Sequence, residues 1–209
     1  TPDVMGYAQF STGFKGGGIS PRPYFPSQAL PFGPEHVRSY ETGLKTELFD
    51  RRLRLNGDIY YMDYLGYQGS PNTCIGLDGK VLPGLGGIPG LCGEILNLGD
   101  AYVKGFELEA EARPVRGLTI DGAASLIDFK FKTPRFATSS VVAGSSAPGL
   151  GKFKWNISVQ YDADIDGVGT LTPRADFVNT PGYCGDFACT PIAVVASYNV
   201  VIARLTLRS

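Results

Sequence analysis

Apolar and polar residues alternate over long stretches of this chain, and the gaps between those stretches are by turns short and long. Leu53, Leu55, Gly57, Ile59 and Tyr61 interleave with Arg54, Asn56, Asp58 and Tyr60. Phe106, Leu108, Ala110 and Ala112 interleave with Glu107, Glu109, Glu111 and Arg113. Leu118 to Leu126 and Phe153 to Tyr161 repeat the pattern. A period of two puts each set on one side of a sheet and its interleaved partners on the other. Eight strands are predicted, at about 4–15, 36–48, 53–68, 100–113, 118–131, 153–163, 170–180 and 194–208. Pro173 marks the seventh as an edge, a bulge or no strand at all.

The gaps Phe49–Arg52, Pro114–Gly117 and Asp164–Gly169 are short, whereas Gly16–Glu35, Ser70–Gly99, Lys132–Lys152 and Pro181–Ala193 are long. Strict alternation gives one rim tight turns and the other long loops, as in a transmembrane β-barrel. Strands of about 11 to 16 residues exceed the five or six usual in soluble sheets and suit a tilted bilayer crossing. The apolar face would then meet lipid and the Glu/Lys/Asn/Gln face a watery lumen. A soluble β-sandwich is the rival architecture.

Composition narrows the classes further. Nineteen Lys+Arg against 20 Asp+Glu give a net charge of −1, which excludes the broad basic footprint of a nucleic-acid binder. An apolar content of 43%, with 11 Tyr and 12 Phe, excludes a disordered chain. No run of about 18 apolar residues exists, so no membrane-spanning helix is expected. Thr1 opens directly into patterned sequence without a secretory signal, and the alternation still runs at Arg208. The chain is therefore expected to be a piece of something longer.

Particular residues carry a resemblance. Pro34-Glu35-His36-Val37-Arg38-Ser39-Tyr40-Glu41-Thr42-Gly43-Leu44-Lys45 resembles the PE…YE-x-G-x-K strand of TonB-dependent outer-membrane receptors. Leu48 to Asn56 resembles the turn and strand that follow, and Tyr60-Tyr61-Met62-Asp63-Tyr64 with Gln68 its end. Lys104-Gly105-Phe106-Glu107-Leu108-Glu109, then Pro114-Val115-Arg116-Gly117-Leu118, is similar to the family's KGxExE…P-x-x-GL hairpin. Ser11-Thr12-Gly13-Phe14-Lys15-Gly16-Gly17 is similar to an upstream strand end. The motifs recur in the family's order over residues 5–130. The resemblance implies a barrel of 22 strands around an N-terminal plug, of which this sequence shows no plug, no TonB box and no terminal aromatic strand.

The expected fold is thus all-β: an antiparallel up-and-down meander of about eight strands, residues 1–209 forming part of a transmembrane barrel wall, open at its first and last strands. Tyr40, Thr42 and Leu44 would face lipid, and Glu41, Lys45 and Glu47 the lumen. Gly43 and Gly105 would leave room for large cross-strand neighbours. Lys45 or Arg54 would neutralise Glu107 or Glu109. By resemblance the function is uptake of a large scarce nutrient of the siderophore, cobalamin or glycan class at the outer membrane of a Gram-negative cell. The partners are outer-membrane lipid, a nutrient held by extracellular loops, and TonB through a plug and box outside this chain. A small stand-alone outer-membrane barrel acting as adhesin or structural protein, or a soluble carbohydrate-binding sandwich, are the alternatives.

The sharper sites resolve as follows. The cysteines lie in long loops, so Cys74–Cys92 and Cys184–Cys189 disulfides are expected in an oxidising exterior. A zinc site would have to manage with the single His36, far from both pairs, and free thiols are the remaining reading. Asp162-Ala163-Asp164-Ile165-Asp166-Gly167 mimics the start of a calcium loop, but Pro173 stands where the bidentate Glu belongs, so a polar hairpin turn is expected. Glu107, Glu109 and Glu111 share one strand face, which reads as a lumen wall before it reads as catalytic carboxylates. No catalytic residue, cofactor, metal or ligand-binding residue is assigned, and no enzyme activity is expected.

Overall fold

The computed structural model describes residues 3–21, 23, 29–70, 95–135 and 141–209, together with the backbone of 74–75 and 81–82. Nine strands build one antiparallel sheet: β1 (Val4–Lys15), β2 (Glu35–Leu48), β3 (Leu53–Gly69), β4 (Leu96–Ala112), β5 (Leu118–Pro134), β6 (Phe153–Tyr161), β7 (Ala163–Ile165), β8 (Gly169–Thr180) and β9 (Tyr198–Arg208). From β1 to β6 each strand pairs with its sequence neighbours; β8 then pairs with β6 and β7 on one edge and with β9 on the other. The expected sixth strand is therefore broken at Asp162. Gln160 lies opposite Arg174 and Ala163 opposite Leu171, so Pro173, which has no N–H to give, falls in the unpaired gap between them. The fourth strand starts earlier than expected and the fifth ends later. The last starts at Tyr198, because Val194–Val195 pair instead with Tyr183–Cys184 inside the preceding loop.

β1 and β9 are the two ends of the sheet and do not pair with each other, so the described residues form no closed barrel. One nine-stranded sheet, accompanied only by two-stranded ribbons among the described residues, also overturns the sandwich alternative. The tight links lie at one rim, where Arg52 N–H donates to Phe49 O at 3.1 Å, Leu118 to Val115 O at 3.2 Å and Val168 to Ile165 O at 3.0 Å. Asp3 is also at this rim, its carbonyl accepting from Glu47 N–H at 2.8 Å. The long connections all leave from the other rim, where Lys15 faces Glu35, Gly69 faces Leu96, Gly99 faces Pro134 and Thr180 faces Tyr198.

Register fixes the two faces, because residues paired across strands share a face. Leu44, Leu55, Ile59, Leu108, Ile157, Val159 and Leu205 lie on one face and stay exposed, Leu205 at 67%. Glu41, Lys45, Asp58, Glu107, Glu109, Asn156 and Ser158 lie on the opposite face, as expected. Along β3 the exposed apolar run from Leu53 to Tyr61 covers about 27 Å of strand. With a tilt of roughly 40° that is about 20 Å of height, close to an outer-membrane apolar band.

Above this band the polarity of the faces reverses at one height. The apolar face of β5 passes from Ala124 and Leu126 to Asp128 and Lys130, while the opposite face passes from Ser125 to Ile127, Phe129 and Phe131. β4 reverses at Lys104, with Val103 and Ala101 now apolar on the opposite face, and β3 at Asp63, with Met62 and Tyr64. Phe10, Tyr40, Tyr61, Lys104 and Asp128 occupy a single cross-strand row at this boundary.

Two glycines make the wall thin where large side chains must cross it. Tyr7 lies directly opposite Gly43 and Tyr60 opposite Gly105. A Cβ on Gly43 would come within 2.6 Å of the Tyr7 ring, and one on Gly105 would run into the Leu126 carbonyl oxygen of the neighbouring strand as well as within 2.5 Å of the Tyr60 hydroxyl. Gly57 has no such neighbour, its nearest atoms lying at 3.5 Å. Gly105→Val should destabilise the protein folded in detergent by about 1–3 kcal/mol through overpacking, with Gly57→Ala within about 1 kcal/mol of the parent. Urea unfolding followed by tryptophan fluorescence measures both, and equal effects would refute the close approach at Gly105.

Candidate functional site

Two zones are stacked on the face opposite the apolar band. The lower zone is the charged wall. Tyr7 Oη donates to Glu41 Oε1 at 2.7 Å, and Lys45 Nζ sits 5.8 Å from the Tyr7 ring centre. Arg174 grips both oxygens of Asp121 at 3.1 and 3.3 Å and donates through Nε to Asp176 at 2.8 Å. The sequence expectation paired Arg54 with Glu107 or Glu109. Register instead sets Arg54 opposite Glu111, at 2.9 Å, and Arg113 takes the other Glu111 oxygen at 2.9 Å. Lys45 is opposite Asn56, not a carboxylate. Glu107 and Glu109 thus make no ion pair with any described residue. Exposed pairs of this kind are worth at most about 1 kcal/mol each, so the wall is a display of charge rather than a store of stability.

The upper zone overturns the expectation of a wholly hydrated lumen face. Leu98, Ala101, Val103, Phe129, Phe131 and Val141 are buried, Ala101 at 0% and Phe131 at 2% exposure. Tyr67 meets Phe129 edge-on at 5.0 Å and Phe131 at 5.5 Å, and Phe131 meets Phe187 at 5.9 Å. Tyr67 reaches this cluster because the ladder of β3 and β4 shifts register between Tyr64 and Gln68, with Gly66 at φ +67°. A bulge puts two residues against one, so Tyr64 and Tyr67, three apart, turn to the same side. Strict alternation cannot foresee that.

Polar side chains root the loops beside the cluster. Asn97, almost fully buried, accepts from Gly33 N–H at 2.6 Å and donates to Gly33 O at 3.0 Å and Gly66 O at 2.7 Å. Gln68 donates to Gly16 O and Gly33 O, both at 3.0 Å, and its own N–H goes to Glu35 Oε2 at 2.6 Å. Both ends of the Gly16–Glu35 connection are therefore pinned to β3 and β4 by buried amides.

Residues 141–152 fold back over β5, with Gly144 N–H donating to Phe131 O at 2.9 Å and Phe131 N–H to Ser145 O at 3.1 Å. The next loop docks on them through Gly149 N–H to Cys184 O at 2.8 Å and through Phe187. Cys184 and Cys189 are disulfide-bonded, as expected. The Cys74–Cys92 expectation lies outside the described residues. Inside the ring so closed, Asp186 accepts from the Thr190 hydroxyl at 2.5 Å and the Thr190 amide at 3.0 Å. The calcium-like Asp162–Gly167 stretch is a hairpin turn, in which Thr172 donates to Asp162 at 2.6 Å and Thr170 to Asp164 at 2.9 Å. The triplet Glu107, Glu109 and Glu111 stands in one line on the charged wall.

The geometry is therefore a barrel-wall segment with a charged lower lumen face and loops packed over a dry aromatic patch at one rim. The chain belongs to the TonB-dependent receptor family: the family's "TonB dependent receptor-like, beta-barrel" model matches residues 1–208. Among solved structures it is similar to the ferric yersiniabactin uptake receptor FyuA from Yersinia pestis, at 20% identity and a TM-score of 0.75 over 99% of this chain and 28% of that one. It is also similar to the ferric preacinetobactin receptor BauA from Acinetobacter baumannii, at 15% identity and a TM-score of 0.68 over 100% of this chain and 28% of that one. A third is the ferric-catecholate import receptor Fiu from K12 E. coli, at 16% identity and a TM-score of 0.67 over 100% and 27%. At these identities the likeness establishes the fold. The chain spans little more than a quarter of each of those proteins.

The hydrogen bonds from the Thr190 hydroxyl and then its amide hold the Asp186 carboxyl below its ordinary 3.8, against the smaller upward push of burial. A lowered folded value means that Asp186 stabilises the ring fully above 3.8, and that this contribution fades as pH falls through the lowered value. The Thr190 amide proton shift should accordingly titrate below 3.8. In Thr190→Val the Asp186 carboxyl carbon should titrate at higher pH than in the parent; coincident NMR titrations would refute the clamp.

Proposed function

We propose that this chain forms part of the barrel wall of an outer-membrane receptor that takes up a large, scarce nutrient, of the ferric-siderophore class. The observation that carries membrane insertion is the reversal of polarity at one height on β3, β4 and β5. A soluble sheet has no reason to expose Leu, Ile and Phe below that row and bury Leu, Val and Phe only above it. Lipid against one face and water within the wall supply the reason. Family membership supports the receptor role, and the similarity to three ferric-siderophore receptors favours that ligand class over cobalamin or glycans.

In this reading the rim of long loops faces outside, which agrees with the Cys184–Cys189 bond, and the tight turns face the periplasm. Glu107 and Glu109, without cationic partners among the described residues, look into the lumen in this reading, where basic side chains of a plug would neutralise them. The wall itself supplies the passage and the loop roots. Energy coupling through TonB belongs to the plug.

Two measurements test the reading. A membrane-impermeant maleimide should label Ser146→Cys on intact cells and Arg116→Cys only after the outer membrane is breached; the reverse pattern would overturn the orientation. Cells lacking the gene should lose most of their accumulation of one radio-iron-loaded siderophore from a hydroxamate, catecholate and phenolate panel. That accumulation should also stop when the inner-membrane proton gradient is collapsed. Undiminished accumulation of every member would refute the ligand class.

A further inference from the structure

We propose that the Cys184–Cys189 disulfide is the redox-sensitive latch of a flap, residues 146–151, that lies over the aromatic patch at the loop rim. The flap is anchored just beyond each end. On one side Gly144 N–H donates to Phe131 O at 2.9 Å and Ser145 O accepts from Phe131 N–H at 3.1 Å; on the other, Lys152 O accepts from Ile127 N–H at 2.9 Å. Between these anchors, Gly149 N–H to Cys184 O at 2.8 Å is the one backbone bond to another segment among the described residues. Gly144 at φ +87° and Gly149 at φ +74° have open space where a Cβ would stand, so no packed neighbour opposes a change of backbone angle there. A single exposed backbone bond opens readily. The flap is therefore held chiefly by Ala147 and Leu150, which pack on the buried patch beside Phe187 of the neighbouring loop.

Phe187 is held in turn by the ring that contains it. Its ring centre lies 5.9 Å from that of Phe131, and the two cysteines that enclose it are only five positions apart. The two sides of this ring differ. Cys184 is seated in a ribbon, paired with Val194, and Gly185 N–H donates to Ala193 O at 2.7 Å. Cys189 is exposed and sits at φ +53°, a conformation that a residue with a side chain seldom adopts unless it is held there. Breaking the disulfide leaves residues 183–185 in place and releases the arc that carries Phe187. The Asp186–Thr190 bonds keep the ends of that arc near each other, but they place nothing against the Phe187 ring.

The reductant is a small dithiol. Its thiolate attacks the sulfur of the exposed Cys189, the S–S bond breaks, and Cys184 leaves as a thiolate that takes up a proton. The second thiol of the reductant then displaces Cys189, so that the dithiol ends as a cyclic disulfide. Two electrons and two protons have passed to the ring, and nothing else is consumed. Cys189 relaxes from its left-handed conformation, Phe187 leaves Phe131, and the flap lifts from the patch. Reoxidation closes it again. The device does not depend on which nutrient the receptor takes.

The test is amide hydrogen exchange of the full-length folded protein, read residue by residue in a mass spectrometer, before and after treatment with dithiothreitol. The parent carries Cys74→Ser/Cys92→Ser, so that only the Cys184–Cys189 ring responds to the reductant. Reduction should speed exchange at the Gly149 and Leu150 amides by at least about tenfold and leave the anchored Gly144 amide and the Leu118 turn amide unchanged. Removal of the dithiol and reoxidation should restore the original rates. Phe187→Ala should reproduce the fast exchange in the oxidised protein, because the ring acts through that side chain. Ile192→Ala, 97% exposed on the same loop, should not. If the cysteine-depleted parent fails to fold, Cys184→Ser/Cys189→Ser compared with the unaltered protein carries the same test. Faster exchange confined to residues 185–190, with Gly149 and Leu150 unaltered, would overturn the latch and leave the disulfide a local staple. Unaltered rates at Gly149 and Leu150 in oxidised Phe187→Ala would overturn the route through the aromatic patch.

Discussion

Inside a bilayer no water is available to a backbone amide or carbonyl, so every such group must find its partner within the sheet. The irregularities along this chain are distributed as that single demand would require. Between the Tyr61–Lys104–Asp128 row and the turn rim, β2 to β5 pair residue against residue without interruption. The two register shifts of the wall, around Gly66 and at Asp100, both lie above the row. There side chains can repair the damage: Asp100 accepts from the Gly66 amide at 2.9 Å, and Asn97 donates to the Gly66 carbonyl. The break at Asp162 lies at the opposite rim, next to the hairpin turn.

The same boundary decides which face is dry. In the membrane setting proposed above, hydrocarbon surrounds the sheet from outside below it, and the lumen face can keep Glu, Lys and Asn hydrated. Above it the outside would be aqueous, and Phe129 and Phe131, with Tyr67 against them, are buried inward beneath the loops. Each fully buried aromatic contributes about 1.5–3 kcal/mol. The long connections are thereby fastened to the wall, so one sequence carries two hydrophobic surfaces of opposite direction joined end to end on the same strands.

Much of the architecture was legible. Alternation located the strands of the wall, and gap length assigned their connections to rims, because both depend only on the two-residue period and on chain reach. Tyr7 over Gly43 and Tyr60 over Gly105 fulfil what the glycines alone suggested. The reversal was also written in the chain, in Ser125-Leu126-Ile127-Asp128-Phe129-Lys130-Phe131, where apolar residues change from even to odd positions without a turn. Treating each strand as amphipathic in a single sense hid it. The buried roles of Gln68 and Asn97 were not legible, since they depend on bulges that bring distant loop roots together. Charge pairing on the wall was missed by one register step, which composition cannot resolve.

The tyrosine-on-glycine contacts bear on how such a wall finds its alignment. Strands in a sheet lose little ladder bonding when one slides past its neighbour by two residues, and each side chain then stays on its proper face. Two such slips would set Tyr60 against Val103 or Glu107 in place of Gly105, and Tyr7 against Glu41 or Lys45 in place of Gly43. None of those residues leaves a hollow for a phenol ring. The pairs therefore act as a key and its lock during assembly, rejecting the mismatched alignments that backbone bonding and face polarity alone would let through.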